Sequence, residues 1–166
     1  VPRDDDAISE VTMEGPVESV EFEMMILGRH SLLEGRQRSG STRLDRSAYT
    51  ILSRMSISGP MSIGQLSEAF GLDASTLNRQ TAALMRAGLA ERIPDPDGGI
   101  ARKFRLTAKG RRMLKETRDA NVDGLERVFK TWSRADIETF AALLMRYNGD
   151  IERIWARVWP RPGSES

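Results

Sequence analysis

The chain has 166 residues, 39% of them apolar, and its 25 Lys and Arg against 24 Asp and Glu leave a formal net charge of +1. That length fits one compact domain, or a small domain with helical extensions, and the apolar share supplies only a modest core. The lack of cysteine excludes a disulfide framework, a thiolate zinc site and thiol redox sensing. No apolar run approaches a membrane span and no signal peptide is visible, so the cytosol is the expected compartment. The first residue is Val1, and a trimmed or partial N-terminus is expected.

Residues 1–16 carry Pro2, the triplet Asp4, Asp5 and Asp6, then Gly15 and Pro16, which predicts a disordered or loosely docked acidic arm. From Val17 to about Gln37, the rows Val20, Met24, Leu27, Ser31 and Phe22, Ile26, Arg29, Leu33 predict a first helix with a wide apolar face. A polar connector follows over 38–45. Arg46 to Ile57 reads as a second helix with Ile51, Leu52 and Met55 inward, ended by Ser58-Gly59-Pro60.

The stretch from Met61 to Gly110 carries the most information. Ile63, Leu66, Ala69 and Phe70 fall on one face of a short helix, and Gly71 suits a turn closed to most residues. Leu72 is expected to plug the corner and Asp73 to cap the next helix. That helix should bury Leu77, Thr81, Leu84 and Met85, leaving Ser75, Thr76, Asn78 and Arg79 outside. Short polar side chains and an arginine at the start of such a helix are what reading the DNA major groove requires. Leu89 to Ile93 and Arg102 to Leu106 can then pair as a wing hairpin around the turn cluster PDPDGGIA.

Thr107 should cap a long helix with Leu114, Thr117, Asn121, Leu125, Val128 and Trp132 in one row. Ser133 and Asp136 form a capping box for a last helix. Its row is Phe140, Leu144, Tyr147, Ile151, Ile154 and Val158, and Pro160 should end it before a frayed tail. The first and the two last helices lack apolar partners within the winged unit and can cover one another best across a dimer. A monomeric bundle packed on the winged helix is the alternative.

Charge is segregated along the chain. Residues 1–24 hold one cation, Arg3, against eight carboxylates. Residues 73–112 hold Arg79, Arg86, Arg92, Arg102, Lys103, Arg105, Lys109, Arg111 and Arg112 against Asp73, Glu91, Asp95 and Asp97. One basic segment between acidic or balanced flanks fits a nucleic-acid footprint, or on charge alone a solvated face.

The order of elements, with Gly71 to Thr76, Leu84 to Leu89 and Leu106 to Gly110 as the most specific strings, resembles the MarR family of bacterial transcription regulators over residues 17–158. The resemblance implies an obligate homodimer with interlocking N- and C-terminal helices, holding two winged helices for a pseudo-palindromic operator. It also implies a repressor released by a small aromatic or lipophilic ligand bound between the dimer helices and the DNA-binding lobe. One departure is visible. The family wing often carries Asp-Arg-Arg where this chain has Gly98, Gly99 and Ile100, and Arg102 and Lys103 are the nearest cations that could replace the arginine.

The fold expected is therefore mainly α with a small β wing: an arm (1–16), a dimerisation helix and connector (17–45), a winged helix-turn-helix (46–110), C-terminal dimerisation helices (111–160) and a tail (161–166). Ser75, Thr76, Asn78 and Arg79 should contact bases, with Arg79 suited to a guanine edge and Asn78 to adenine; phosphate contact, or helix capping by Ser75 and Thr76, are the rival roles. Arg102, Lys103 and Arg105 should grip the backbone. Met25, His30, Tyr49 and Met55 could line an adaptable effector pocket, or be plain structural residues. His30 is the only histidine, so a multi-histidine metal site is impossible. No cofactor is expected, and no nucleophile elbow, phosphate-cradling loop or dinucleotide fingerprint points to an enzyme. Two other readings stay open: a winged-helix module for protein contacts, and a DNA-binding protein indifferent to ligands.

Overall fold

The computed structural model describes residues 15–37 and 43–162, with the side chains of 31–37 excepted. They belong to two units, Val1–Ser41 and Thr42–Ser166. The arm expected over 1–16 and the last tail residues thus lie almost wholly outside the described residues.

The first unit holds helix α1, Pro16–Gln37, opening within one residue of the predicted start. Proline at a first helical position suits its fixed φ and missing donor. Glu18 accepts the Gly15 N–H at 3.1 Å. Val17, Val20, Phe22, Met24, Met25 and Leu27 are all exposed and Ile26 is half-buried, so the apolar face is largely solvent-exposed where its side chains are described.

The second unit begins with α2, Arg46–Ser58. Asp45 caps it, its carboxylate accepting the Ala48 N–H at 2.8 Å, and Gly59 ends it at φ 76°. Strand β1, Met61–Ser62, and helix α3, Ile63–Phe70, follow at once. Ser62 and Gln65 close a reciprocal capping box at the start of α3. Helix α4, Ala74–Arg86, leads to β2, Ala90–Ile93, and β3, Lys103–Leu106. The antiparallel sheet has the order β1-β3-β2, with Ala90 opposite Leu106 and Met61 opposite Phe104. The short β1 was not foreseen, because two residues offer no alternation to read.

The core gathers Ile51, Leu52 and Met55 from α2, Leu66 from α3, Leu77 and Leu84 from α4, and Phe104 and Leu106 from β3. Burial of these side chains, at roughly 1.5–3 kcal/mol each, is what orients α4 against the sheet. Helix α5, Ala108–Val128, starts as predicted at Thr107, whose hydroxyl accepts the Gly110 N–H at 3.0 Å and donates to the Gly88 carbonyl at 2.7 Å. Farther along, the buried Thr117 hydroxyl accepts the Leu44 N–H at 3.3 Å and anchors the chain entering α2.

A 3-10 turn, Phe129–Thr131, separates α5 from α6, Arg134–Trp155, so Trp132 lies outside the α5 row assigned to it. Its ring instead meets Phe129 and Phe140 at centroid distances of 5.0 and 5.7 Å. The capping box of Ser133 and Asp136 opens α6 as expected. Its end was misplaced: α6 stops at Trp155, and Ala156, at φ 51°, turns the chain before Pro160 is reached. Val158 is therefore not part of the helical row. The segment 157–162 folds back on the helix-turn-helix: Trp159 stands edge-on to Phe70 at 5.3 Å, and Arg54 lies over the Trp159 ring at 5.2 Å. Arg161 grips Glu152 with two bonds of 2.7 Å and ties this strap to α6.

Candidate nucleic-acid interface

The turn between α3 and α4 fixes how α4 is presented. Gly71 takes φ 63°, and its N–H donates to the Ser67 carbonyl at 2.8 Å. At this φ any side chain is strained. Leu72 does not plug the corner: it is 40% exposed, and the turn is held instead by the Ser67 hydroxyl donating to the Leu72 carbonyl at 2.6 Å. Asp73 occupies the N-cap position in extended conformation, but its side chain makes no capping bond.

Within α4, Leu77, Thr81 and Leu84 are buried, and the Thr81 hydroxyl is satisfied by the Leu77 carbonyl at 2.8 Å. Met85, assigned to the same face, is 37% exposed and lies at the edge of the packed stripe. Ser75, Asn78 and Arg79 are exposed, while Thr76 is half-buried. At 100° per residue, Ser75, Arg79 and Arg86 share one line opposite the buried stripe, with Ala82 and Ala83 beside them. In the sequence, Arg86 stands out only as part of the basic segment. Helical spacing from Arg79 would have put it on the presented face, and the small alanines between leave that face low enough for close approach.

The wing is held by its own charges. Lys103 is 8% exposed, and its Nζ sits 2.7 Å from Asp95 Oδ1 and 2.8 Å from Asp97 Oδ2. The Asp95 carboxylate, followed by that of Asp97, raises the Lys103 pKa; the hydrogen bond from Lys103, followed by one from the Asp97 N–H, lowers that of Asp95. The ammonium is buried with two of its three donors held by carboxylates, which sets Lys103 apart from the exposed cations expected to grip DNA. Arg105 is exposed but paired across the strands with Glu91, Nε to Oε1, at 2.8 Å. Arg102 is exposed and immediately precedes β3 instead of lying within it. Gly98, at φ 80°, turns the wing tip, and Ile100 projects fully into solvent.

Among the described residues, Arg79, Arg86, Arg92, Arg102, Lys109 and Arg111 are exposed and form no ion pair. Lys109 donates to the Ala87 carbonyl at 2.8 Å, and Arg111 to that of Leu106 at 3.0 Å. Both side chains are thereby fixed near the α4 end and the foot of β3. Arg92 lies over the Phe104 ring at 5.8 Å.

The effector residues fare differently. Met25 and His30 lie at exposed positions of α1 in the first unit. In the second, Tyr49 is half-buried against the core, while Met55 is 2% exposed within it. Met55 is therefore a core residue, the plain structural role that the sequence left open for it.

A helix-turn-helix with a three-stranded wing defines the winged-helix class of regulators. The MarR family model matches residues 44–99. Over 135 residues the chain is 34% identical to YxaD, an uncharacterized HTH-type transcriptional regulator of Bacillus subtilis (strain 168), covering 81% of this chain and 94% of that one. Among solved structures, a MarR family protein from Bacillus stearothermophilus superposes with a TM-score of 0.71 at 21% identity, covering 81% of this chain and 94% of the other. The wild-type MarR of E. coli in its apo form gives 0.62 at 17% identity, with 77% and 95% covered. The chain belongs to the MarR family of transcriptional regulators, whose members are not enzymes. No described helix is long and apolar enough to cross a membrane.

Proposed function

We propose that this regulator is a cytoplasmic homodimer that reads a pseudo-palindromic operator and represses transcription by occupying it. In this reading Ser75, Thr76, Asn78 and Arg79 meet base edges, Arg86 extends the contact along α4, and Arg102 and Arg105 meet phosphates, Arg105 after exchanging Glu91 for DNA. The observation that carries it is the line of Ser75, Arg79 and Arg86 on α4, opposite a stripe fixed by Leu77, Thr81 and Leu84. A rigidly seated helix with unpaired guanidinium groups outward suits direct readout.

The dimer is supported separately on each unit. On α1, Val17, Val20, Met24 and Leu27 are open; on α6, Leu143, Leu144, Tyr147 and Ile154 are 41–78% exposed. Apolar faces of that extent are normally covered by a partner. The boundaries read for the arm (1–16), the DNA-binding domain (46–110) and the dimerisation helices (17–45 and 111–160) belong to this proposal, as does release by a small aromatic or lipophilic ligand.

Salt dependence tests the electrostatic part. Each phosphate contact releases condensed counterion, so log affinity for duplex DNA should fall with log salt with a slope steeper than about −2 for the dimer. A shallower slope, or no complex in a gel shift, would favour a winged-helix module used for protein contacts.

A further inference from the structure

The strap brings a cation to the helix-turn-helix from a distant part of the chain. Ala156, at φ 51°, turns the chain after α6, and the Arg157 N–H donates to the Glu152 carbonyl at 3.0 Å, so Arg157 leaves the helix in a fixed direction. Beyond it, Trp159 is docked on Phe70 and under Arg54, and Arg161 is clamped to Glu152 and to the Trp159 carbonyl. The Arg157 guanidinium lies on Gly71. A Cβ at that position would stand 2.6 Å from Cζ, 2.7 Å from Nη1 and 3.0 Å from Nη2. Distances so nearly equal put Gly71 over the flat of the group and not at its edge. The glycine thus serves twice: its φ of 63° makes the turn, and its missing side chain leaves a seat for the guanidinium. A guanidinium held by its face keeps its N–H donors, which lie in its plane, for other groups. Arg157 is exposed, and among the described residues it forms no ion pair. Glu68, which lines the same hollow, and Asp73, two residues past Gly71, both leave it unpaired.

We infer that Arg157 is a further DNA contact, supplied by the strap, which binds a backbone phosphate beside the point where α4 enters the major groove. No more than about 11 Å of backbone separates Gly71 from Ala74, the first residue of α4. The major groove is about 12 Å wide and is bordered by a row of phosphates on each side. A guanidinium seated that near the start of an entering helix is within reach of one of those rows. Its fork matches the paired oxygens of a phosphate, and the charge-assisted bonds engage donors that the fold leaves idle. The contact carries no sequence information and fixes how the helix is set on the duplex. This inference rests on the proposed reading of DNA by α4, and adds to it a residue some 80 positions away in the chain, outside the basic segment.

The test follows binding of the full chain and its variants to one labelled mixed-sequence duplex, long enough for both half-sites, by fluorescence anisotropy over a range of salt. Arg157→Gln should flatten the slope of log affinity against log salt by about one unit per protomer, as the loss of one phosphate contact requires. Arg157→Lys should keep the wild-type slope, because the slope counts charges at phosphates and not the shape of the donor. An unchanged slope for Arg157→Gln would overturn the inference. Arg102→Ala, measured alongside, separates the two failures: if it still flattens the slope, the proposed interface stands without Arg157. A Lys variant as flat as the Gln variant would also overturn the inference, since the residue would then only pack the strap on Gly71. No salt-dependent complex for the wild-type chain would overturn this inference and the DNA reading together.

Discussion

In the proposed reading, Arg79 and Arg102 carry opposite roles. Arg79 stands on the presented line of α4, where its guanidinium can meet both acceptors of a guanine edge. Arg102 precedes the wing strand, beside a tip where Gly98, Gly99 and Ile100 provide no cation. Arg79→Ala should cost about 1–3 kcal/mol on the operator and relax the preference at one base pair per half-site. Arg102→Ala should weaken operator and scrambled duplex alike, and flatten the salt slope by about one unit per protomer. Equal losses on both duplexes for Arg79→Ala would make it a phosphate contact, while an operator-only loss for Arg102→Ala would mean that the wing reads sequence.

Lys103 acts on the wing itself. The folded pKa of Asp95 is depressed, so its contribution is present above the unfolded value of about 3.9 and is lost as pH falls through the lower folded value. The folded pKa of Lys103 is raised, so its contribution is full below about 10.4 and is lost as pH rises through the higher folded value. The wing should be firm across the neutral range and loosen at both extremes. Lys103→Met should remove both limbs and speed amide exchange in residues 94–101 at neutral pH. Unchanged exchange in that segment would show that the turn holds without the lysine.

At the scale of elements, α5 is set against the winged core by Gly110. An added Cβ there would overlap the Leu89 carbonyl oxygen, backbone that cannot swing aside. Gly110→Ala should therefore destabilise by about 1–3 kcal/mol, the usual cost of overpacking, and lower the melting temperature by several degrees. An unaltered melt would mean that α5 can slide from Leu89 at little cost. The helices were legible in the sequence because their starts carry chemistry: Thr107, and Ser133 with Asp136, cap where spacing placed them. The end of α6 was not, since proline marks where a helix must have stopped and not where it does. The turn at Ala156 and the docking of Trp159 on Phe70 depend on contacts far apart in sequence. The same limit explains the candidate site. Periodicity alone placed Arg79 outside and Leu77 inside. The burial of Lys103 and Met55 depends on partners that a linear pattern does not name: Asp95 and Asp97 for one, the assembled core for the other.

For the whole molecule, the proposal joins two features that the chain displays separately: a seated reading helix, and long helices with open apolar faces. Two-fold pairing would duplicate α4 and set two copies on one side of a duplex, so that protein symmetry is mirrored in the DNA. Selection of bound duplexes from a random pool, using the full chain, tests this most directly. The expected result is an enriched inverted repeat whose half-sites lie about one helical turn apart, centre to centre. Enrichment of a single unrepeated half-site would contradict the two-fold arrangement, and a pool that never departs from random would contradict sequence reading by α4.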